Sequence, residues 1–288
     1  MNYEQFIYAM LECAKSKLSE SELVEKQEIL KNNGVVAIGL SIRNKGGNTA
    51  PIVYLEDYYR QYCVGESIEA LTEHLLNISR SAPPVPMWNY EDILDFRKVR
   101  HQIVYKLISA KRNQKLLREV PNLPMMDFAI VFYVLVQTKK GECGSVLIRN
   151  THMNYWELPI SLLYQCAKEN TPKLCPYRIF PLSELVEDYL GTSVPKSPLI
   201  VLSNENGING ASAILYPQMP KRIYEYVGRN YYLLPSSIHE FLIVPENEMT
   251  DPQNLKEIVQ DVNENHIARE ELLSDSVYYF DGNIITKM

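Results

Sequence analysis

DFAIVFYVLVQTKKGECGSVLIRN, residues 127–150, decides how the back half of this chain folds. Phe128 to Val136 is an unbroken apolar run rich in β-branched and aromatic side chains. That composition and length predict a buried strand rather than a helix. The run is also far shorter than the ~20 residues a membrane-crossing helix needs. KKGE supplies a turn, and GSVLIRN then pairs back as the second arm of a hairpin.

Working outward toward the C-terminus, YWELPISLLYQCAKEN predicts a helix ended by Asn170 and Pro172, and LSELVEDYL a shorter one. SPLIVLSN and ASAILYP predict strands on either side of ENGING, whose Asn-Gly steps favour tight turning. MPKRIYEYVGRN returns to helix, YYLL to strand and NLKEIVQDVNEN to an acidic helix. SVYYFDGNIITKM ends the chain as a strand with an Asp-Gly turn.

Toward the N-terminus, the first 30 residues read as helix, with Phe6, Met10, Cys13 and Leu18 at roughly helical spacing. GVVAIGLSIRN (34–44) predicts a strand ended by NKGGN. ESIEALTEHLLNISR (66–80) predicts a helix with Ile68, Leu71, Leu75 and Ile78 on one face, and SAPPVP closes it as a linker or surface loop. Tyr90 to Val120 carries the longest helical pattern, with an apolar stripe of Ile93, Phe96, Val99, Ile103 and Leu107, stopped by VPNLP. The expected fold class is α+β. A helix-rich region spans 1–120, and an α+β region with a mixed or antiparallel sheet and packed helices spans 121–288, as two parts or as one continuous domain.

The chain has 288 residues, 46% hydrophobic and 22% charged, with a net charge of -6. It can bury a sizeable core, and its acidity argues against a global nucleic-acid footprint. Tyrosine outnumbers phenylalanine 20 to 7, which suits half-buried sheets and interfaces alike. The cysteines are odd in number and form no CxxC, and MNYEQFIYAM lacks the basic and apolar segments of a signal peptide. Reduced thiols in a cytoplasm are the expectation.

The richest local chemistry lies in YYLLPSSIHEFLIVPE (231–246), where Ser236, Ser237, His239 and Glu240 crowd together. A serine nucleophile needs a base in hydrogen-bond reach and a group to orient that base. These residue types qualify, but no GxSxG elbow accompanies them. The same letters, SIHE, spell a helix capping box in which the Ser237 hydroxyl accepts from Glu240 N–H.

Elsewhere the signals are thinner. The histidines His74, His101, His152, His239 and His266 are scattered, and a mixed set such as His239, Glu240 and His266 has no spacing argument, so no metal is expected. NGINGA has neither a Walker lysine nor GxGxxG, so no nucleotide cofactor is expected. Arg97, Lys98, Arg100, Lys106, Lys111, Arg112, Lys115 and Arg118 follow one another without an acidic residue. On a helix they would offer a phosphate-binding face, with Arg97, Arg100, Lys111, Arg112 and Lys115 as candidates. They would equally form a solvated face, or one paired with the acidic helix at 255–271. Asp127, at the mouth of the buried strand, is a candidate carboxylate or a partner for turn amides.

DFAIVFYVLV, LIRNTHMNYWELPISLLYQCAKENTP, NGASAILYP, YYLLPSSIHEFLIVPE and REELLSDSVYYF together resemble a bacterial family of unknown function from gut anaerobes of the clostridial group. The resemblance runs from NYEDILDF (89–96) onward. The back half is also similar to a second bacterial domain of unknown function, through Phe128–Val136, Trp156–Asn170 and Leu234–Glu240. Neither resemblance implies an activity. The expectation is therefore a non-catalytic cytoplasmic binding or regulatory module acting through a protein partner, without a membrane segment. The alternatives are a hydrolase-like enzyme using Ser237 with His239, and nucleic-acid binding through a basic helix over 97–118.

Overall fold

A computed structural model of the chain describes residues 1–45, 52–81, 90–137, 143–193, 195 and 197–288. KKGE, SAPPVP and the end of NKGGN fall outside them, apart from Ser81. Contacts divide the chain into two units, Met1–Lys31 with Val35–Asn89, and Asn32–Gly34 with Tyr90–Met288.

The first unit opens with α1 (Tyr3–Ser16). Asn2 caps it: its side chain accepts from Gln5 N–H at 2.9 Å while the Gln5 side chain accepts from Asn2 N–H at 3.1 Å. β1 (Glu22–Leu30), β2 (Val36–Asn44) and β3 (Ile52–Tyr54) follow as an antiparallel sheet in that order, then α2 (Glu56–Cys63) and α3 (Ile68–Ser81). Phe6 and Met10 of α1, Leu40 of β2 and Leu75 of α3 fill the core.

The helix expected across the first 30 residues therefore stops at Ser16. ELVEKQEIL is a strand paired residue for residue with β2, from Glu22 opposite Asn44 to Leu30 opposite Val36. Its Glu, Lys and Gln residues favour helix locally. Cross-strand packing overrides that preference.

The second unit contains α4 (Tyr90–Leu94), α5 (Phe96–Val99), β4 (Ile103–Ser109), β5 (Asn122–Met125), β6 (Phe128–Gln137) and β7 (Cys143–Leu147). Then come α6 (Asn150–Trp156), α7 (Ile160–Leu174), β8 (Tyr177–Pro181), α8 (Leu182–Leu190), β9 (Ile200–Asn204) and α9 (Met219–Val227). The hairpin of β10 (Tyr231–Ser237) and β11 (Glu240–Pro245) follows, then α10 (Pro252–Asn265), β12 (Tyr278–Phe280) and β13 (Ile285–Lys287). Among the described residues β6 is the centre of one antiparallel sheet, with β4 on one side and β5 and β7 on the other. The second sheet runs β13-β12-β10-β11-β9-β8, also antiparallel. The fold is α+β.

The buried strand at Phe128 and its hairpin partner form as expected. The long helix over Tyr90–Val120 does not. It breaks into α4, α5 and single turns, and IVYKLIS becomes β4, paired with β6 from Ile103 opposite Val134 to Ser109 opposite Phe128. Its branched residues are buried on both faces, a requirement that a one-sided helical stripe cannot meet. The boundary expected near residue 121 thus falls between β4 and β5, strands of one sheet.

Two further expectations change. YWELPISLLYQCAKEN is two helices, because Glu157 turns left-handed (φ 52°) ahead of Pro159, and α7 runs through Pro172 to Leu174. ASAILYP is a 3-10 turn over Gly210–Leu215, not a strand.

β4 is an edge strand among the described residues, and α7 satisfies backbone groups along it. Thr171 Oγ1 accepts from Tyr105 N–H at 3.1 Å, and Asn170 Nδ2 donates to Ile103 O at 3.0 Å and Arg100 O at 2.7 Å. Trp156 Nε1 donates to Ile93 O at 2.9 Å. No helix among the described residues is long and apolar enough to cross a membrane.

Candidate functional site

The crowded stretch around His239 is a hairpin turn, not a helix start. Ser237 and Glu240 face each other across β10 and β11. The Ser237 hydroxyl, buried, accepts from His239 N–H at 3.0 Å, so the expected capping bond to Glu240 N–H is replaced by a tighter turn bond two residues on. Ser236 Oγ lies 3.4 Å from Glu240 Oε1. Burial pushes the Glu240 carboxyl above its ordinary value, against the pull of His239 and Ser236.

The imidazole of His239 points away from both serines. Nδ1 accepts from Asn209 N–H at 3.2 Å, and Nε2 sits 3.5 Å from Glu271 Oε1. A backbone donor at Nδ1 places the neutral ring's proton on Nε2. The serines, the histidine and the glutamate are neighbours without forming a nucleophile–base pair. What they do form is a brace. His239 O accepts from Ser203 Oγ at 2.8 Å, and Ile238 O accepts from Ala211 N–H at 3.2 Å. The turn thereby holds the segment 203–211. Gly210 is required there, since a Cβ would lie 2.2 Å from Ser203 Oγ and 2.5 Å from His239 O.

That braced segment is one wall of a cleft of about 640 Å³ within the second unit, whose other wall is β4 with the neighbouring Tyr133. The volume suits a small organic ligand. Its lining includes Tyr105 and Lys106 of β4, Asn204, Asn209 and Ser212. Lys106 opposes Val131, and its Nζ lies over the ring of Tyr133, 4.3 Å from the centroid, as a diagonal cross-strand pair. Lys106 is half-buried in the lining of the cleft. Burial lowers Lys106 to about 8, because a charged amine out of water is penalised. No carboxylate lines the cleft among the described residues.

Two oxygens in the same lining also lack partners within the protein. Tyr105 Oη is buried and unbonded, and burial drives that phenol well above its usual range. Asn204 is 4% exposed. Its Nδ2 donates to Ile208 O at 2.8 Å, but its Oδ1 has no donor. Buried polar atoms are normally satisfied, and these two unmet oxygens belong to residues that border the cleft.

The basic candidates do not share a face. Arg97 extends from α5 beside Asp95, at 3.3 Å, and Arg100 lies in the following turn. Lys111 and Arg112 come after β4, beside a groove of about 400 Å³ that also contains Asp127. There Arg112 pairs with Asp275 at 2.9 Å. Lys115 is exposed further along. Asp127 accepts from Lys287 Nζ at 2.7 Å and Ser276 Oγ at 2.7 Å. Burial raises that carboxyl, but these bonds outweigh it and hold the group below its ordinary value. It is a tie to the last strand. Among the described residues no group of three His, Cys, Asp or Glu side chains is placed to hold a metal.

Lys106 is the site residue that the sequence reading missed, because it was counted with the surface cations. The available signal was its place inside IVYKLIS, a lone charge flanked on both sides by apolar residues. No curated protein and no solved structure matches the chain at a significant level. Residues 3–282 do match a family model, nearly the whole chain, and this protein therefore belongs to the Family of unknown function (DUF5688).

Proposed function

We propose that this protein is a non-catalytic binding module whose second unit seats a small organic molecule in the cleft beside β4. The observation that carries the reading is the half-buried Lys106 amine in a cleft whose described lining has no carboxylate. An amine held out of bulk water without a carboxylate partner lowers stability, and a fold that keeps one gains by offering it to a ligand. Gln102, Ser145 and Asn206, reachable polar side chains of the same lining, supply further points of recognition. This reading replaces the protein-partner module expected from sequence with a small-molecule one. A reducing, cytoplasmic setting fits the free Cys13, Cys63 and Cys166.

The test is ligand-observed NMR with a fragment library on the wild type and on Ser145→Trp, which places an indole at the exposed edge of the cleft lining. Fragments that bind the wild type and lose at least about tenfold in affinity with the tryptophan support the reading. A wild type that binds none, or binding that the tryptophan leaves unchanged, overturns it.

A further inference from the structure

We infer that Lys106 captures its ligand covalently, as an imine, and that the cleft is therefore a site for an aldehyde or ketone. The inference rests on the binding reading above and names the ligand class. A site shaped for a carboxylate or phosphate gathers several donors, such as an arginine fork or a helix N-terminus. Here Lys106 is the only cation in the lining among the described residues, and its amine sits on a tyrosine face. The tyrosine face fixes where the amine sits, and partial loss of water around it is what disfavours the charged form. With Lys106 held near 8, ~10% of the amine is neutral at pH 7, against ~0.04% for an ordinary lysine. Desolvated lysines of this kind are the ones that form Schiff bases.

The step balances without an added oxidant or reductant. The neutral amine's lone pair attacks the carbonyl carbon, the C–N bond forms, and the carbonyl π pair moves to oxygen. The oxygen takes up the proton that nitrogen releases, giving a carbinolamine. Loss of one water leaves the imine, and water re-entering the cleft reverses the sequence. The Ser145 hydroxyl, exposed in the same lining, and solvent in the open cleft are the proton donors at hand for the departing water.

The experiment traps the adduct with sodium cyanoborohydride on the full chain. The probes are benzaldehyde and pyruvate at limiting concentration, and adducts are located by peptide mapping. The exposed Lys111, Lys115 and Lys256 serve as internal references. The expected result is that Lys106 is modified by at least one probe about tenfold faster than these three at pH 7. That advantage should shrink as the pH approaches 10, where every lysine is substantially neutral. Lys106→Arg keeps the charge but cannot form the imine, and its map should lose that adduct alone. Modification of Lys106 no faster than the references overturns the inference. If fragments still occupy the cleft in that case, the binding reading survives and only the covalent step falls. If fragments do not bind either, both fall.

Discussion

Lys106 is held at a cost to the fold, and that cost is measurable. Replacing it by methionine keeps most of the stem and removes the penalised charge, so Lys106→Met should raise stability at pH 7 by about 1–3 kcal/mol, or ~2–4 °C in melting midpoint per kcal/mol. The sign follows from linkage. Between about 8 and the free-lysine value the folded chain binds fewer protons than the unfolded one, so wild-type stability climbs with pH through that window. The variant's advantage should be full below pH 8 and fade above it, as thermal melts across pH would show.

The hairpin turn makes a paired prediction. Ser237→Ala removes the acceptor of the part-buried His239 N–H and should cost about 1 kcal/mol. Glu240→Gln should do the opposite. Its carboxyl is raised by burial, so its contribution is best below the ordinary glutamate value and is lost as pH rises through the folded one. The amide variant should therefore melt higher than the wild type at pH 7 and equal to it near pH 4. A lower midpoint for both variants at neutral pH would return Glu240 to the role of a helix-style cap.

Among elements, the loop after β9 and the β1–β2 ribbon carry the sharpest consequences. Gly210→Ala forces a methyl against the backbone of His239 and Asn204, so it should destabilise the second unit by several kcal/mol and weaken fragment binding in the cleft. In the first unit, hydrogen bonds from Arg80, then Ser19, hold Glu22 down to about 2. A depressed carboxyl contributes above its unfolded value and loses that contribution as pH falls. Amide exchange in β1 and β2 should accelerate between pH ~4.3 and ~2, and Arg80→Met should move that acceleration to higher pH.

Elements were legible where local preference and burial agree. β6 has no polar interruption from Phe128 to Val136, and α10 is amphipathic and free of competing signals. β1 was not legible, because ELVEKQEIL carries helix-favouring residues and its alternation only becomes meaningful opposite β2. β4 was read as helix since Ile103 and Leu107 extend a stripe begun by Val99, and nothing in sequence announces that β6 will bury its second face. The cleft was invisible for the same reason. Lys106, Asn204 and Ser212 meet only through the arrangement of two sheets.

For the molecule as a whole, the two units are not simple consecutive halves, since Asn32–Gly34 groups with the second. Asn33 takes a left-handed conformation (φ 60°) and donates through Nδ2 to Leu272 O at 2.7 Å and Arg269 O at 2.8 Å. Its backbone N–H donates to Asn113 Oδ1 at 2.8 Å, and its Oδ1 accepts from Asn113 Nδ2 at 2.8 Å. Asn113 is 2% exposed. A fragment of residues 90–288 would leave it half satisfied, so that fragment should be less stable than the same unit in the full chain by more than about 1 kcal/mol. Urea unfolding followed at the second unit would measure the difference, and equal midpoints would assign the three residues no such role.

The two α7 side chains that meet β4 bear on how copies of this protein behave together. A strand with unmet backbone groups recruits strands from its neighbours, and Asn170 and Thr171 occupy those groups on β4. Asn170→Leu with Thr171→Val would leave the apolar helix face intact but bare the strand's edge. Its defect should then emerge twice, as a lower melting midpoint because the buried Tyr105 N–H loses its acceptor, and as self-association and turbidity that grow with concentration.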